Sequence, residues 1–151
     1  MNHWIIKSEA SVYSIDDLQK DKQTPWTGVR NYQARNFMRD KMMVGDKVIF
    51  YHSNDNPPHI AGFVKVVSMP YSDVTQFDKN SHYFDPKSTK ENPRWFLVDM
   101  AFVKKSKRKI GLDELKNDKK LEGLMLIKKG QRLSVQPVSK EHFDYIEKLC
   151  L

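Results

Sequence analysis

Seven residues in the first half of the chain restrict the fold more than any others. Lys47-Val48-Ile49-Phe50-Tyr51-His52-Ser53 is rich in β-branched and aromatic residues. Period-two alternation places Val48 and Phe50 on one face and Ile49 and Tyr51 on the other. A strand that is apolar on both faces needs cover on both faces, as in a barrel or a sheet packed from two sides.

The neighbouring segments fit that frame. Trp4-Ile5-Ile6 reads as a short buried strand running into Lys7-Ser8-Glu9. Ser14 is placed to cap a helix with Asp16 and Asp17 in its first turn, and Pro25 stops any continuation. Asn31 can cap a second helix to about Lys41, with Ala34, Phe37 and Met38 on one face. Asn54-Asp55-Asn56-Pro57-Pro58 is a hairpin-type loop, and Ile60 to Val67 returns as a strand in which Gly62 marks a bulge or a close backbone approach. Met69 to Asn92 is irregular, and a loop of that length in a small domain is expected to be functional or flexible. Trp95 to Val103 reads as a strand with Phe96, Val98, Met100 and Phe102 on one face. The basic run Lys104-Lys105-Ser106-Lys107-Arg108-Lys109 follows, either as a solvated loop or as a phosphate-contacting patch. A short helix is expected around Leu112 to Lys116 and another short apolar element over Leu121 to Ile127. Arg132 to Val135 reads as a last strand closed by Gln136-Pro137, and Ser139 caps a final helix through Leu149. The expectation is one α+β domain over residues 1–151, with five or six strands curled into a mixed barrel and short helices around its rim.

Composition narrows the function classes. No run approaches the roughly 18 apolar residues of a membrane span, and no signal-peptide pattern opens the chain, so a cytoplasmic setting (nuclear in a nucleated cell) is expected. Cys150 is the only cysteine, which leaves no internal disulfide and no cysteine metal site. The net charge of +7 favours a polyanionic partner, although many basic domains have none. No phosphate loop, dinucleotide fingerprint, HExxH or GxSxG occurs. The five histidines fall at no metal-site spacing, so neither a metal nor a cofactor is expected.

One stretch is unlike ordinary core or surface: Pro25-Trp26-Thr27-Gly28-Val29-Arg30-Asn31-Tyr32-Gln33-Ala34-Arg35-Asn36. It combines flat apolar rings with planar hydrogen-bonding groups, the mixture that a pocket for a flat, polar ligand requires. If Asn31 caps a helix, the ligand-facing part is the turn from Trp26 to Asn31. Other strand ends share the character: Lys7-Ser8-Glu9, Phe50-Tyr51-His52-Ser53-Asn54, Pro93-Arg94-Trp95 and Ser134-Val135-Gln136-Pro137.

Taken in order, Lys7-Ser8-Glu9, Trp26 to Asn36, Phe50 to Asn54, Asn92 to Trp95 and Arg132 to Pro137 resemble the successive motifs of the EVE domain family. Ala10 stands where that family usually has proline, and Thr27 where it often has aspartate, which removes a charge near the pocket. The resemblance implies a PUA-like fold related to YTH domains. It also implies recognition of nucleic acid carrying a modified base: a modified cytosine in DNA, or a modified base in RNA. Bacterial relatives often stand beside nuclease modules, so a nuclease or other effector partner is also implied.

On this reading the base is flipped into a pocket formed by Ser8, Trp26, Gly28, Val29, Arg30, Asn31, Tyr51, His52, Ser53 and Ser134. Trp26 is the first choice for a stacking ring and Tyr32 the second. Lys7, Arg35, Arg94, Lys107 and Arg108 are the candidates for phosphate contacts. Two alternatives stay open: a small nucleic-acid or nucleotide-processing enzyme using groups such as His52 and Asp85, and a protein-interaction domain.

Overall fold

The structure is a computed structural model describing all 151 residues. In chain order the strands are β1 (His3–Glu9), β2 (Gln23–Pro25), β3 (Lys47–Ser53), β4 (His59–Val66), β5 (Tyr71–Ser72), β6 (Phe96–Leu97), β7 (Asp99–Gly111) and β8 (Val135–Val138). The helices are α1 (Ile15–Asp21), α2 (Tyr32–Asn36, continuing as a π turn over Phe37–Lys41), α3 (Leu112–Lys116) and α4 (Lys140–Leu149). No helix is long and apolar enough to cross a membrane.

Six strands form one sheet in the order β2-β7-β4-β3-β1-β8, with β5 and β6 paired apart from it. Only the β1–β3 pairing is parallel within that sheet. The sheet curls into an open half-barrel, so that residues from or next to its two edge strands line a common cavity. The central strand β3 is covered on both faces, as its alternation requires. Val48 and Phe50 pack inside with Trp4, Ile6, Val64 and Met100. Ile49 and Tyr51 pack outside with Ile5, Phe63, Phe143 and Ile146.

Local chemistry sets the element ends. Ser14 accepts from the Asp17 N–H while Asp17 accepts from the Ser14 N–H, a reciprocal capping box. Asn31 accepts from the Ala34 N–H and Ser139 from the His142 N–H at the starts of α2 and α4. Gly62 sits between two register shifts of the β4–β7 ladder. A Cβ there would lie 2.6 Å from the Lys104 carbonyl and 2.9 Å from Ile15 Cγ1, so both readings of this glycine hold.

Three boundaries differ from the sequence expectation. The strand expected over Trp95 to Val103 is broken at Val98, whose carbonyl accepts from the Trp26 N–H one step beyond the last β2–β7 pair. Beyond the break, β7 runs through the basic run to Gly111: Lys104 and Lys105 pair with Phe63 and Gly62, and residues 106–109 bulge from the ladder before pairing resumes at Ile110. Lysine stems can cover a sheet face while their heads stay wet, and Lys104 lies over the Phe63 ring at 5.4 Å. The last strand starts at Val135, not Arg132, and includes Gln136 and Pro137. Proline is tolerated there because β8 is an edge strand.

Candidate nucleic-acid interface

The sheet's two edges and the β1–α1 connection enclose a cavity of about 540 Å³. Lys7, Ser8 and Glu9 come from the end of β1, Val12 and Tyr13 from the loop before α1, and Thr24 to Asn31 from β2 and the turn before α2. Tyr83 and Ser134 complete the lining.

Trp26 is the central group. Its ring meets Phe50 edge-on with centroids 5.6 Å apart, and Tyr13 with centroids 6.1 Å apart. The ring is half-buried and lines the cavity. The three tryptophan N–H groups differ sharply. Trp4 donates to Asp46 at 2.9 Å and Trp95 to Asp85 at 2.7 Å. The Trp26 indole N–H has no protein partner and is open rather than buried.

The turn that presents Trp26 is held from behind by a polar clamp. Gly28 has φ +87°, and a Cβ there would come within 2.5 Å of the Tyr83 ring. Both the backbone conformation and the space therefore demand glycine. Its N–H donates to Asp73 at 2.9 Å. Arg30 spends all five of its donors: on the Tyr83 carbonyl twice, the Val29 carbonyl, Asp73 and the Thr75 hydroxyl. Burial pushes the Asp73 carboxyl up, but bonds from Thr75, Gly28 and Arg30 outweigh it and hold the group below the usual carboxylate range.

Buried Gln76 ties the same segment together. Its carbonyl accepts from the Arg94 and Trp95 N–H groups, and its amide donates to the Ser72 hydroxyl and to the Asp73 and Trp95 carbonyls. The irregular stretch from Met69 to Asn92 thus includes an ordered back wall, and through Tyr83 it reaches the cavity.

On the opposite side, Ser8 donates to the Tyr13 carbonyl at 2.6 Å and keeps its lone pairs. The Ser134 hydroxyl has no partner, while its carbonyl accepts from the Lys7 N–H. Burial lowers the pKa of the Lys7 ammonium, whose one protein contact is the Gln131 carbonyl at 3.3 Å. Burial and a bond to Asp21 push the Tyr13 phenol up to about 12, so it stays protonated.

Of the ten residues expected to form the pocket, seven line this cavity: Ser8, Trp26, Gly28, Val29, Arg30, Asn31 and Ser134. Arg30 does so as a saturated clamp. The other three lie elsewhere. Tyr51 points to the outer core, and Ser53 is half-buried at the end of β3 without reaching the cavity. His52 opens into a second cavity of about 390 Å³ on the far side of the β1–α1 loop. Strand alternation explains Tyr51 and Ser53, which share a face, and the loop separates His52 from Trp26.

Among the expected phosphate contacts, Lys7 is at the cavity. Arg35 stacks over Tyr32 at 4.7 Å and bonds the Arg94 carbonyl and Asn36. Arg108 holds Glu114 and the Leu149 carbonyl. The Arg94 side chain is half-buried without a protein partner, and Lys107 is exposed. Tyr32 stacks on Trp95 with centroids 4.8 Å apart, outside the cavity. Val12, Tyr13, Thr24 and Tyr83 line the cavity without having been expected there, and Thr27 lines it as part of the turn from Trp26 to Asn31. The close approach that Gly28 permits was the one available hint of Tyr83. No histidine lines the cavity, and Glu9 is its one carboxylate.

An open half-barrel with an aromatic, sparsely charged cavity between its edges defines a PUA-like binding domain. The chain belongs to the EVE domain family, whose sequence profile matches residues 2–149. It is 43% identical to human thymocyte nuclear protein 1 over 96% of this chain and 72% of that protein. A solved Pseudomonas syringae protein superposes with a TM-score of 0.94 at 47% identity, covering 99% of each chain. Human thymocyte nuclear protein 1, solved in complex with 5-methylcytosine-containing DNA, superposes at 0.89 with 43% identity, covering 99% of this chain and 97% of that one.

Proposed function

We propose that this chain is a nucleic-acid-binding module that takes one modified base, a modified cytosine in DNA, into the cavity beside Trp26. The observation that carries the proposal is the state of Trp26: an open ring and an unspent indole N–H, where the other two tryptophans are tied to carboxylates. The human relative's complex with 5-methylcytosine DNA supports the same ligand class.

Ser8, Asn31 and Ser134 offer hydrogen bonds to the base edge, while Gly28 and Val29 shape the turn. Lys7, Arg94 and Lys107 have charge available for phosphates. Arg30, Arg35 and Arg108 are engaged within the protein. Extracting a base costs a few kcal/mol, and stacking on one aromatic returns about 1–3 kcal/mol. A single buried methyl adds about 0.8 kcal/mol, roughly a fourfold preference. Modest selectivity follows. Titration with matched duplexes containing cytosine or 5-methylcytosine tests it. A fourfold or greater preference supports the reading, and equal affinity at low and high salt overturns it.

A further inference from the structure

The second cavity is lined by Ala10 and Ser14 from the β1–α1 loop, Ile15 and Asp16 from the start of α1, Asp55 from the β3–β4 loop, His52 and His59 from β3 and β4, and Lys105 and Lys109 from β7, among others. Distance alone nominates a metal ion there, because one ligand atom each from His52, Asp55 and His59 lie within 4.8 Å of one another. Hydrogen bonding argues against it. The Ile15 backbone N–H can only donate, and it meets His52 Nε2 at 3.1 Å, so that nitrogen is the acceptor. The neutral ring must then carry its proton on Nδ1. A protonated nitrogen cannot bind a metal, and turning the ring would strand a buried N–H. His59 Nδ1 faces the Pro57 carbonyl at 2.8 Å and must donate to it, which leaves its Nε2 as a free acceptor. With His52 removed, only His59 and Asp55 remain of the three, too few to hold an ion.

His52 is 7% exposed, and its Nδ1–H has no protein partner although it is not sealed from solvent. The buried imidazole lines a cavity edged by the cations Lys105, Arg108 and Lys109 and by the carboxylates of Asp16 and Asp55. Lys105 is paired with Asp16 at 2.6 Å and Arg108 with Glu114, which leaves Lys109 as the uncommitted cation. Burial first, and then the neighbouring His59, keep the His52 pKa below its usual value, so the ring stays neutral near pH 7.5.

The geometry points to a phosphate-binding site in this second cavity, formed by His52 Nδ1–H and Lys109, which holds the backbone beside a base seated at Trp26. The two cavities meet across one strand pairing. Ser8, in the first, and His52, in the second, are cross-strand partners, about 4.8 Å apart in the sheet. This extension to the nucleic-acid backbone rests on the base-binding reading of the first cavity; the anion site itself does not.

Inorganic phosphate titrated into the ¹⁵N-labelled whole protein at pH 7.5, followed at the histidine ring nitrogens, tests the anion site alone. His52 is expected to shift saturably. Lys109→Gln should weaken the response several-fold, and Asp55→Asn should strengthen it by about fivefold as a nearby like charge is removed. No His52 response, or preferential Zn²⁺ binding by His52 and His59, overturns the site.

In parallel, Lys109→Gln should lower the slope of log K against log salt by about one, equally on modified and unmodified oligonucleotides. An unchanged slope alongside an intact phosphate response overturns the backbone role and leaves a free-phosphate site. If the parent protein binds no oligonucleotide, the reading of the first cavity fails together with the backbone role, while the phosphate titration still decides the anion site.

Discussion

The two cavities lie back to back across residues 9–14, yet they spend their polar groups in opposite ways. Behind the first, the charges are consumed in the wall: Asp73 and Arg30 face each other at 3.2 Å, with the Asp73 side chain 1% exposed. What remains for a ligand is the Trp26 ring and its indole N–H, the Ser8, Thr27 and Ser134 hydroxyls, the Asn31 amide, the Glu9 carboxylate and the half-buried Lys7 ammonium. At the second, the ion pair between Lys105 and Asp16 is exposed, and the buried side chain is the His52 imidazole. The first should therefore bind by stacking and the second by charge, and salt should separate them.

The largest expected effect concerns the wall. Arg30→Ala leaves the Asp73 carboxylate buried without its cation and should cost about 3–5 kcal/mol in urea unfolding. Lys105→Ala, which breaks the exposed pair, should cost under about 1 kcal/mol. Equal losses would break the contrast between a spent wall and a solvated rim.

Next comes Trp26→Ala, expected to weaken oligonucleotide binding by about 1–3 kcal/mol, the value of one base–aromatic stack. The loss should be the same at low and high salt, whereas any effect of Lys109→Gln should fade as salt rises. Gly28→Ala should destabilise by about 1–2 kcal/mol from its left-handed backbone alone, and more if Tyr83 cannot move aside. Thermal unfolding reads the first loss, and lost binding reports the displaced wall.

Acid separates the regions on a finer scale. The folded-state pKa of Asp73 is depressed, so its contribution is full above the unfolded value near 3.9 and drains as pH falls through the folded value. The stability gap between the parent and Asp73→Asn should therefore be widest near neutrality and shrink below about pH 4. His52 is also depressed, chiefly by burial and then by His59. Its contribution is present above about pH 6.5 and declines as pH falls from there. A His52→Gln variant should show a flatter stability profile between about pH 6.5 and its lower folded value.

The sequence made the strands and caps legible because their signals are local. The alternation of Val48 to Tyr51, the capping box at Ser14 and the helix start at Asn31 each depend on a few neighbouring residues. The extent of β7 was hidden because Lys104 to Lys109 has the composition of a loop, and its pairing with β4 involves residues some forty positions away. Trp26, Ser8 and Ser134 stood out as polar groups beside aromatics at strand ends. The clamp did not, since neither Asp73 nor Gln76 belongs to a motif and each acts only through long-range bonds. His52 illustrates the limit: its residue type suggested a ligand-facing group, but only the fold shows which side of the β1–α1 loop it faces.

Trp26 as the base-contacting ring is tested most directly by the three indole N–H resonances during titration with a 5-methylcytosine duplex. Trp4 and Trp95 are bonded to Asp46 and Asp85 and serve as internal references. The Trp26 resonance is expected to move saturably while the other two hold still. Binding that leaves Trp26 unmoved, or that moves Trp95 or Trp4 in its place, would contradict it.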